Sequence, residues 1–219
     1  MRLMRWDADP LWASVYDWTV EHPIAGGMAW RVGVHSDLGL LYRAAGETGL
    51  LEAGSRVLDV PCGGGVALRG VWPGQGLDYV ATDISPAMLE RTRALAERHG
   101  VADQVTTTIA DVGDLPFDDG SFDRVVTLTG LHCFPDPARA VAELTRVLRP
   151  GGVLLGSALL NDTGLRFEPM RRAGRLAGLM GPGCTGPELV TWLGDGGVDD
   201  VRLTRSGALG YVRGTKRDA

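Results

Sequence analysis

The sequence of 219 residues is poor in several features, and each shortage excludes a class of protein. Its three cysteines, Cys62, Cys133 and Cys184, are too few and too scattered for a disulfide framework or a zinc site. We therefore expect a reduced, cytoplasmic protein that holds no metal. The longest strongly apolar stretch, residues 153–160, is far too short to cross a bilayer. The N-terminal residues contain acids and lack an apolar core, so we also expect no signal peptide.

Basic clusters are missing as well. The net charge is −5, and no run of lysine and arginine forms a stripe, which argues against a nucleic-acid partner. Hydrophobic residues make up 44% and charged residues 22%, as is typical of a globular chain. The length suits one domain over residues 1–219, and we expect it to act on a small molecule, as a monomer or a homodimer.

What the sequence does contain, from Ser55 onward, is an alternation of short β-rich runs and helical patterns. Strands separated by helices are typical of βαβ units, so we predict an α/β protein with a mostly parallel sheet. The first five predicted strands are residues 56–60, 78–83, 104–111, 122–130 and 152–160.

Two of the predicted helices have readable ends. Ser85 and Pro86 supply an N-cap and a proline at the first helical position, and Gly100 ends that helix. Asp136 and Pro137 repeat the same start for the next helix.

Outside the predicted core, residues 51–160, the pattern changes. Residues 1–50 are rich in tryptophan and helical in pattern, and we expect them to form a cap, packed before the sheet or over its open edge. Residues 161–184 form a predicted helical insertion. Its arginines, which we expect on a solvated face, are Arg166, Arg171, Arg172 and Arg175.

The last predicted region, residues 185–219, begins with a helix at 187–194 and continues with two strands. These strands, residues 198–205 and 207–214, are expected to pair antiparallel through a turn at Ser206 and Gly207.

The loop after the first strand reads PCGGG and begins at Pro61. A glycine-rich turn between a strand and a helix lets a ligand approach the backbone and aims N–H groups at it. Ligands in open parallel sheets bind outside the carboxyl ends of the strands. A dinucleotide site would require G-x-G-x-x-G, and Gly63 and Gly65 meet only its first two positions because Leu68 stands at the third.

Four motifs in order resemble those of the class I S-adenosylmethionine-dependent methyltransferases. They are Leu58-Asp59-Val60 before the glycine loop, Asp83 at the end of the second strand, residues 109–126 with Asp111 and Val112, and the turn from Leu148 to Gly152. The branch that this chain resembles includes the quinone C-methylating enzymes. One departure is Pro61, which stands where that family usually has its first glycine.

This resemblance implies a doubly wound, Rossmann-like sheet of seven strands with an antiparallel last strand and S-adenosylmethionine as cofactor. It implies that Asp83 accepts from the ribose hydroxyls, that Asp111 and Val112 meet the adenine, and that Ile84 and Met88 cover it. Alternative interpretations are that Asp111 caps a turn and that Met88 is a core residue. The full set expected at the cofactor is Asp59, Pro61, Cys62, Gly63, Gly65, Asp83, Ile84, Met88, Asp111, Val112 and Thr129.

The methyl acceptor is less well defined. Candidate substrate contacts are Tyr16, His22, Trp30, His35 and His132. Tyr16 resembles the lid-facing tyrosine of the quinone-methylating branch. Trp6, Trp12, Trp18 and Trp30 indicate an apolar cover over a pocket for an apolar or aromatic molecule.

His132 follows the fourth predicted strand, at the end of the sheet where the crevice opens. It is a candidate general base, with a pocket wall, a substrate-orienting group or a structural residue as alternatives. Methyl transfer can also proceed by positioning alone, because the sulfonium is already activated.

The sequence leaves three functions open. The first is methyl transfer to O, N or C of a small molecule. The second uses the same cofactor pocket for a cyclisation or as a binding module. The third is a nicotinamide dehydrogenase, which Leu68 disfavours.

Overall fold

The computed structural model describes residues 18–218, in which helices and strands alternate. The helices are α1 (Pro23–Gly33), α2 (Leu38–Gly46), α3 (Pro86–His99), α4 (Pro137–Val147), α5 (Glu168–Ala177) and α6 (Gly186–Asp195). The strands are β1 (Arg56–Asp59), β2 (Asp78–Asp83), β3 (Val105–Ile109), β4 (Phe122–Leu128), β5 (Leu148–Leu159), β6 (Val198–Ser206) and β7 (Leu209–Lys216). Short 3₁₀ helices cover Glu47–Leu50, Val66–Gly70, Ala102–Gln104 and Leu165–Phe167.

The strands form one sheet of seven in the order β3-β2-β1-β4-β5-β7-β6. Strands β1 to β5 run parallel, and β7 pairs antiparallel with both β5 and β6. This confirms the predicted Rossmann-like fold class. The strand order reverses between β1 and β4, which is where a doubly wound sheet opens a crevice for a ligand.

Alternate residues of the central strands face opposite layers, as the two-residue period of a strand requires. Leu58 and Val125 belong to one buried cluster, with Val141 and Leu144 of α4. The neighbouring residues of the same strands point the other way. Their cluster contains Val57, Val126 and Tyr79 of the sheet with Leu41 of α2 and Leu95 of α3.

The predicted helix ends are largely confirmed. Gly100 ends α3 in the left-handed region at φ 69°, and the Asp136 side chain accepts from the Arg139 N–H at 3.0 Å. The expected cap at Ser85 is wrong in its chemistry, because the Ser85 hydroxyl makes no capping bond. The carboxylate of Asp83 accepts the Ser85 N–H instead, at 2.9 Å.

The described part of the N-terminal region is helical, as predicted, and it packs on one face of the sheet and beside the turn between β6 and β7. Leu41 and Ala45 of α2 are buried against the sheet face, and α2 contacts β5 and β7. Helix α1 leaves Ile24, Met28 and Val32 exposed. Trp6, Trp12 and Tyr16 lie outside the described residues.

The insertion corrects one prediction. Arg171 does not lie on a solvated face, because only 2% of the residue is exposed. Its guanidinium donates to Glu168 at 3.0 Å and to the carbonyls of Leu160 and Gly164. Arg171 therefore ties α5 to the end of β5, whereas Arg172 is exposed as expected.

Two boundaries also differ. Strand β5 begins at Leu148, earlier than expected, because Leu148 already pairs with Phe122 before a register irregularity. The last hairpin turns at Gly207 and Ala208, one residue later than predicted. Among residues 18–218, none of the helices is both long and apolar enough for a membrane span.

Candidate functional site

The glycine loop lies beyond the carboxyl end of β1, beside the ends of β2 and β4. Gly63 and Gly65 both have positive φ, 52° and 90°, a region that favours glycine. A Cβ atom at Gly65 would approach Leu95 to 3.1 Å and the Thr92 hydroxyl to 3.3 Å. A Cβ atom at Gly63 would meet nothing within 4 Å. Gly65 is thus fixed by packing, whereas Gly63 borders open space.

The loop does not lead into an α-helix, which corrects the expected strand-to-helix turn. The segment Val66–Gly70 forms only a 3₁₀ helix. Gly70 packs so closely on α2 that an added Cβ would sit 1.9 Å from the Ala45 carbonyl oxygen. The N–H groups that the loop offers a ligand are therefore those of the loop itself.

Asp83 ends β2 and joins the loop to the second strand. Its Oδ2 accepts the Gly63 N–H at 3.0 Å, and its Oδ1 accepts the Ser85 N–H at 2.9 Å. Burial raises the pKa of the Asp83 carboxyl, and these backbone donors oppose the rise. Asp83 is thus held in one orientation at the strand end.

Asp59 ends β1 and lies behind the loop, with 1% of the residue exposed. The hydroxyl of the buried Tyr79 donates to its Oδ2 at 2.8 Å. Burial raises the pKa of Asp59 to about 7, the Tyr79 hydrogen bond lowers it, and the charge of Asp83 raises it further. Sequence reasoning missed Tyr79, because nothing in the sequence marks which β2 residue faces Asp59.

Helix α3 supports the loop from the other side through a residue that sequence reasoning also missed. The buried Thr92 hydroxyl donates to the Gly63 carbonyl at 2.7 Å. Cys62 is buried beneath it and donates its N–H to the Thr82 carbonyl at 2.9 Å. Burial, with the charges of Asp59 and Asp83, raises the pKa of the Cys62 thiol, so the thiol stays protonated.

Pro61 and the β4 loop are packed together. The Val60–Pro61 peptide bond is cis. A Cβ atom at Gly130 would come within 2.2 Å of the Pro61 Cδ, so only glycine fits there. Thr129 has φ 56° and donates its N–H to the Ser157 hydroxyl at 2.9 Å. These contacts bring the ends of β1, β4 and β5 into one rigid edge.

The predicted adenine residues separate into exposed and buried groups. Ile84 is 57% exposed, and Ile109, which pairs with Asp83 in the sheet and which sequence reasoning missed, is 61% exposed. Met88 and Val112 are buried, the latter in a core cluster. Asp111 is exposed, and its carboxylate accepts the Gly113 N–H at 2.8 Å. This contact agrees with the alternative interpretation that Asp111 caps a turn.

His132 lies against the end of β5. Its Nδ1 accepts the Leu159 N–H at 3.3 Å, which leaves the proton of the neutral ring on Nε2. Part of the residue reaches the surface, but burial of the ring lowers the pKa of His132 to about 4. At neutral pH the ring is therefore uncharged and can donate a hydrogen bond through Nε2. This arrangement favours the alternative in which His132 orients the substrate. The general-base role stays a prediction.

The other predicted substrate residues that the structure describes each contact a different part of the molecule. His22 is exposed and stacks on Trp18. Trp30 is half-buried and packs against the core cluster that contains Leu41 and Tyr211. His35 meets Phe167 of the insertion edge-on, with ring centroids 5.5 Å apart.

A cavity of about 440 Å³ lies between the residues before α1, the glycine loop and the end of α3. Its lining residues are Val20, Glu21, His22, Gly64, Val66, Arg69, Leu95, Arg98 and His99. Arg69 and Arg98 are already engaged there, by the Val20 carbonyl and by Glu21. We therefore take the strand-end crevice, and not this cavity, as the candidate active site.

The sequence resembles known methyltransferases. Residues 58–156 match the family described as the methyltransferase domain. The chain is 39% identical over 124 residues to the 27-O-demethylrifamycin SV methyltransferase of Amycolatopsis mediterranei, covering 55% of this chain and 46% of that protein. It is 40% identical over 114 residues to the demethylmenaquinone methyltransferase of Thermus thermophilus, covering 52% of this chain and 51% of that protein. The chain thus spans about half the length of these curated relatives.

Solved structures resemble the whole fold. The [4+2]-cyclase SpnF superposes with a TM-score of 0.66 at 20% identity, covering 84% of this chain and 82% of that one. A geranyl diphosphate methyltransferase in complex with SAM gives a TM-score of 0.66 at 16% identity, covering 82% and 84%. At such low identity these likenesses establish the fold alone.

Proposed function

We propose that this chain, which belongs to the class I methyltransferases, binds S-adenosylmethionine at its glycine loop and methylates a small organic molecule at O, N or C. The bound cofactor would supply a methyl group on a sulfonium; the acceptor atom would attack this methyl carbon in line and bond to it as the C–S bond breaks and the sulfur leaves as a neutral thioether. The chain's own task is to hold and orient the two partners and to exclude water.

The observation that carries the proposal is the arrangement at the ends of β1 and β2. Gly63 leaves room for a ligand to approach the backbone, and the adjacent Asp83 carboxylate is fixed by two N–H groups. Each carboxylate oxygen retains a lone pair for a hydroxyl of the ribose. Ile84 and Ile109 expose apolar surface beside Asp83, and an adenine ring could pack against this surface.

Several contacts suit the roles predicted from the family motifs. Thr92 and Tyr79 hold the loop and Asp59 in place from behind. Asp111, although it caps a turn, has a second carboxylate oxygen that can accept from an adenine amine. Met88 is buried, so we propose that it supports the adenine wall from below.

The substrate is proposed to be apolar or aromatic and to enter beside the loop after β4. The insertion adjoins this loop, because the Gly181 N–H donates to the His132 carbonyl at 2.9 Å. Two of the relatives are named as methyltransferases of 27-O-demethylrifamycin SV and of demethylmenaquinone, which supports an organic molecule as the acceptor. The neutral His132 ring would donate through Nε2 to an oxygen of such an acceptor, orienting it toward the methyl group.

Methylation of small molecules is best tested with cofactor labelled in its methyl group. Purified protein, labelled S-adenosylmethionine and a panel of phenols, quinones and amines should give a labelled product with at least one acceptor class. An unlabelled, rearranged product would favour the cyclising alternative. Cofactor binding without turnover of any acceptor would favour a binding module.

Location and assembly stay predictions. The three cysteines are free in the structure, which agrees with a reducing compartment. We propose a cytoplasmic monomer or homodimer that binds no nucleic acid. Size-exclusion chromatography with light scattering measures the assembly directly.

A further inference from the structure

We propose that the Asp59 carboxylate, held by Tyr79 behind the glycine loop, makes the site prefer the cofactor, with its sulfonium charge, over the demethylated product that lacks this charge, and does so more strongly as pH rises. This inference rests on the proposed function. It assigns to Asp59 and Tyr79 a part in product release that the cofactor motif does not specify.

The geometry places two carboxyl groups on the same side of one short loop. Asp83 touches the loop at Gly63, and Asp59 lies buried under it at the end of the adjacent strand. The charges of Asp59 and Asp83 both raise the pKa of the thiol of Cys62, a residue of the loop, so both carboxylates lie close enough to act on the loop. A cation bound on the open side of Gly63 would therefore experience both carboxylates through a water-poor region, where charges interact strongly.

The groups that act on Asp59 come from three elements. Strand β2 contributes Tyr79 and Asp83, and the loop contributes Cys62. Helix α3 contributes Thr92, which has no charge and bonds the Gly63 carbonyl. Of the described residues that shift its pKa, none is a cation. Asp59 thus lacks a positive partner that would hold it ionised in the free protein.

Because burial raises the pKa of Asp59 to about 7, the free protein holds this carboxyl largely neutral below that pH and ionised above it. S-adenosylmethionine carries a sulfonium, and its demethylated product does not. Ionised Asp59 attracts the sulfonium, so binding of the cofactor favours loss of the Asp59 proton. The product lacks the sulfonium and gains no such attraction. Its affinity relative to that of S-adenosylmethionine should therefore fall as pH rises.

Tyr79 sets the pH at which the preference for the cofactor begins. Its hydroxyl donates to Asp59 Oδ2 and stabilises the ionised form. Removing the hydroxyl would raise the pKa of Asp59 and move the onset of the preference to higher pH. Tyr79 is therefore a positioning residue that acts on the cofactor only through Asp59.

The test is calorimetric measurement of Kd for S-adenosylmethionine and S-adenosylhomocysteine from about pH 5.5 to about pH 7.5. For the parent, the ratio of the product Kd to the cofactor Kd should rise by about three- to tenfold over this range, the size expected for one partly screened charge pair. For Asp59→Asn the ratio should stay constant. The variant also corrects for titration of the ligands' own amino groups, which it leaves unchanged.

Tyr79→Phe supplies a second, milder variant in case Asp59→Asn fails to fold. Its ratio should rise later than that of the parent, by about half a pH unit or more. Asp103→Asn, an exposed carboxylate before β3, is the matched control and should follow the parent. A constant ratio in the parent, or an unchanged slope in Asp59→Asn, would overturn this inference alone. If neither ligand binds the parent at any pH, the proposed function fails as well.

Discussion

The sheet edge that carries the glycine loop and the segment around α1 hold their polar groups in different ways. At the sheet edge, Asp83, Thr92 and Thr129 each bond a group on a different strand, helix or loop. In the other region, His22 bonds only the carbonyl of Trp18, one helical turn away. Groups held across elements keep their positions when the ligand is absent, whereas groups held within one segment move with that segment.

The exposed apolar surface shows the same contrast. On the sheet edge it is confined to the neighbouring Ile84 and Ile109, which suits a flat ligand of limited size. On α1 it forms a row at every fourth residue, Ile24, Met28 and Val32. The comparison indicates that the edge carrying the glycine loop, the proposed cofactor half, is held by contacts between different elements, whereas the apolar row on α1 is exposed.

The largest expected effect tests the cofactor half. Asp83→Ala should weaken S-adenosylmethionine and S-adenosylhomocysteine about ten- to hundredfold, because hydrogen bonds to a charged group contribute about 1.5–3 kcal/mol. His22→Ala, in the other region, should leave both affinities unchanged. Isothermal titration calorimetry measures both. Equal affinity in Asp83→Ala and the parent would mean that Asp83 is not the ribose acid.

Much of the cofactor half could be predicted from the sequence, because its signals are local. Strand patterns located β1, β2 and β4, and Gly63 and Gly65 indicated a loop whose backbone a ligand can approach closely. The supporting residues could not be predicted in this way. Thr92 is 29 residues from Gly63, and its contact depends on how α3 packs against the loop.

The insertion was also hard to predict, because its arrangement depends on contacts between residues that are distant in the sequence. An arginine-rich helix usually exposes its charges, and the burial of Arg171 follows only from the carbonyls of Leu160 and Gly164 that converge on it. The 3₁₀ helix after the glycine loop likewise reflects close packing of Gly70 against α2. Tertiary contacts of this kind override local propensity.

A second, smaller effect concerns stability and uses two glycines with opposite surroundings. Gly130→Ala should destabilise the fold by about 1–3 kcal/mol, because the new methyl group collides with Pro61. Gly27→Ala, in the middle of α1 with nothing within 4 Å, should stabilise it by up to about 1 kcal/mol through helix propensity. Urea denaturation gives both values. A neutral Gly130→Ala would show that the sheet edge is less rigid than its contacts indicate.

The smallest expected effect is on catalysis at His132. If the ring orients substrate as a neutral donor, His132→Ala should lower kcat by about tenfold or less, the value of one neutral hydrogen bond. The parent rate should also show no inflection near neutral pH from this residue, because its lowered pKa of about 4 keeps it uncharged there. His132→Gln, which retains a donor, should recover part of the loss. A loss of about a hundredfold or more, with an inflection that the variant lacks, would restore the general-base role.

The central claim, that the glycine loop and Asp83 hold S-adenosylmethionine and not a dinucleotide, is tested most directly by thermal denaturation of the purified protein with each ligand. S-adenosylhomocysteine should raise the Tm, and above its Kd the rise should follow the logarithm of its concentration, since a ligand that binds only the folded state stabilises it. NADH at about 1 mM should leave the Tm unchanged, because Leu68 replaces the third glycine that a dinucleotide site requires. A shift with NADH and none with S-adenosylhomocysteine would contradict the account.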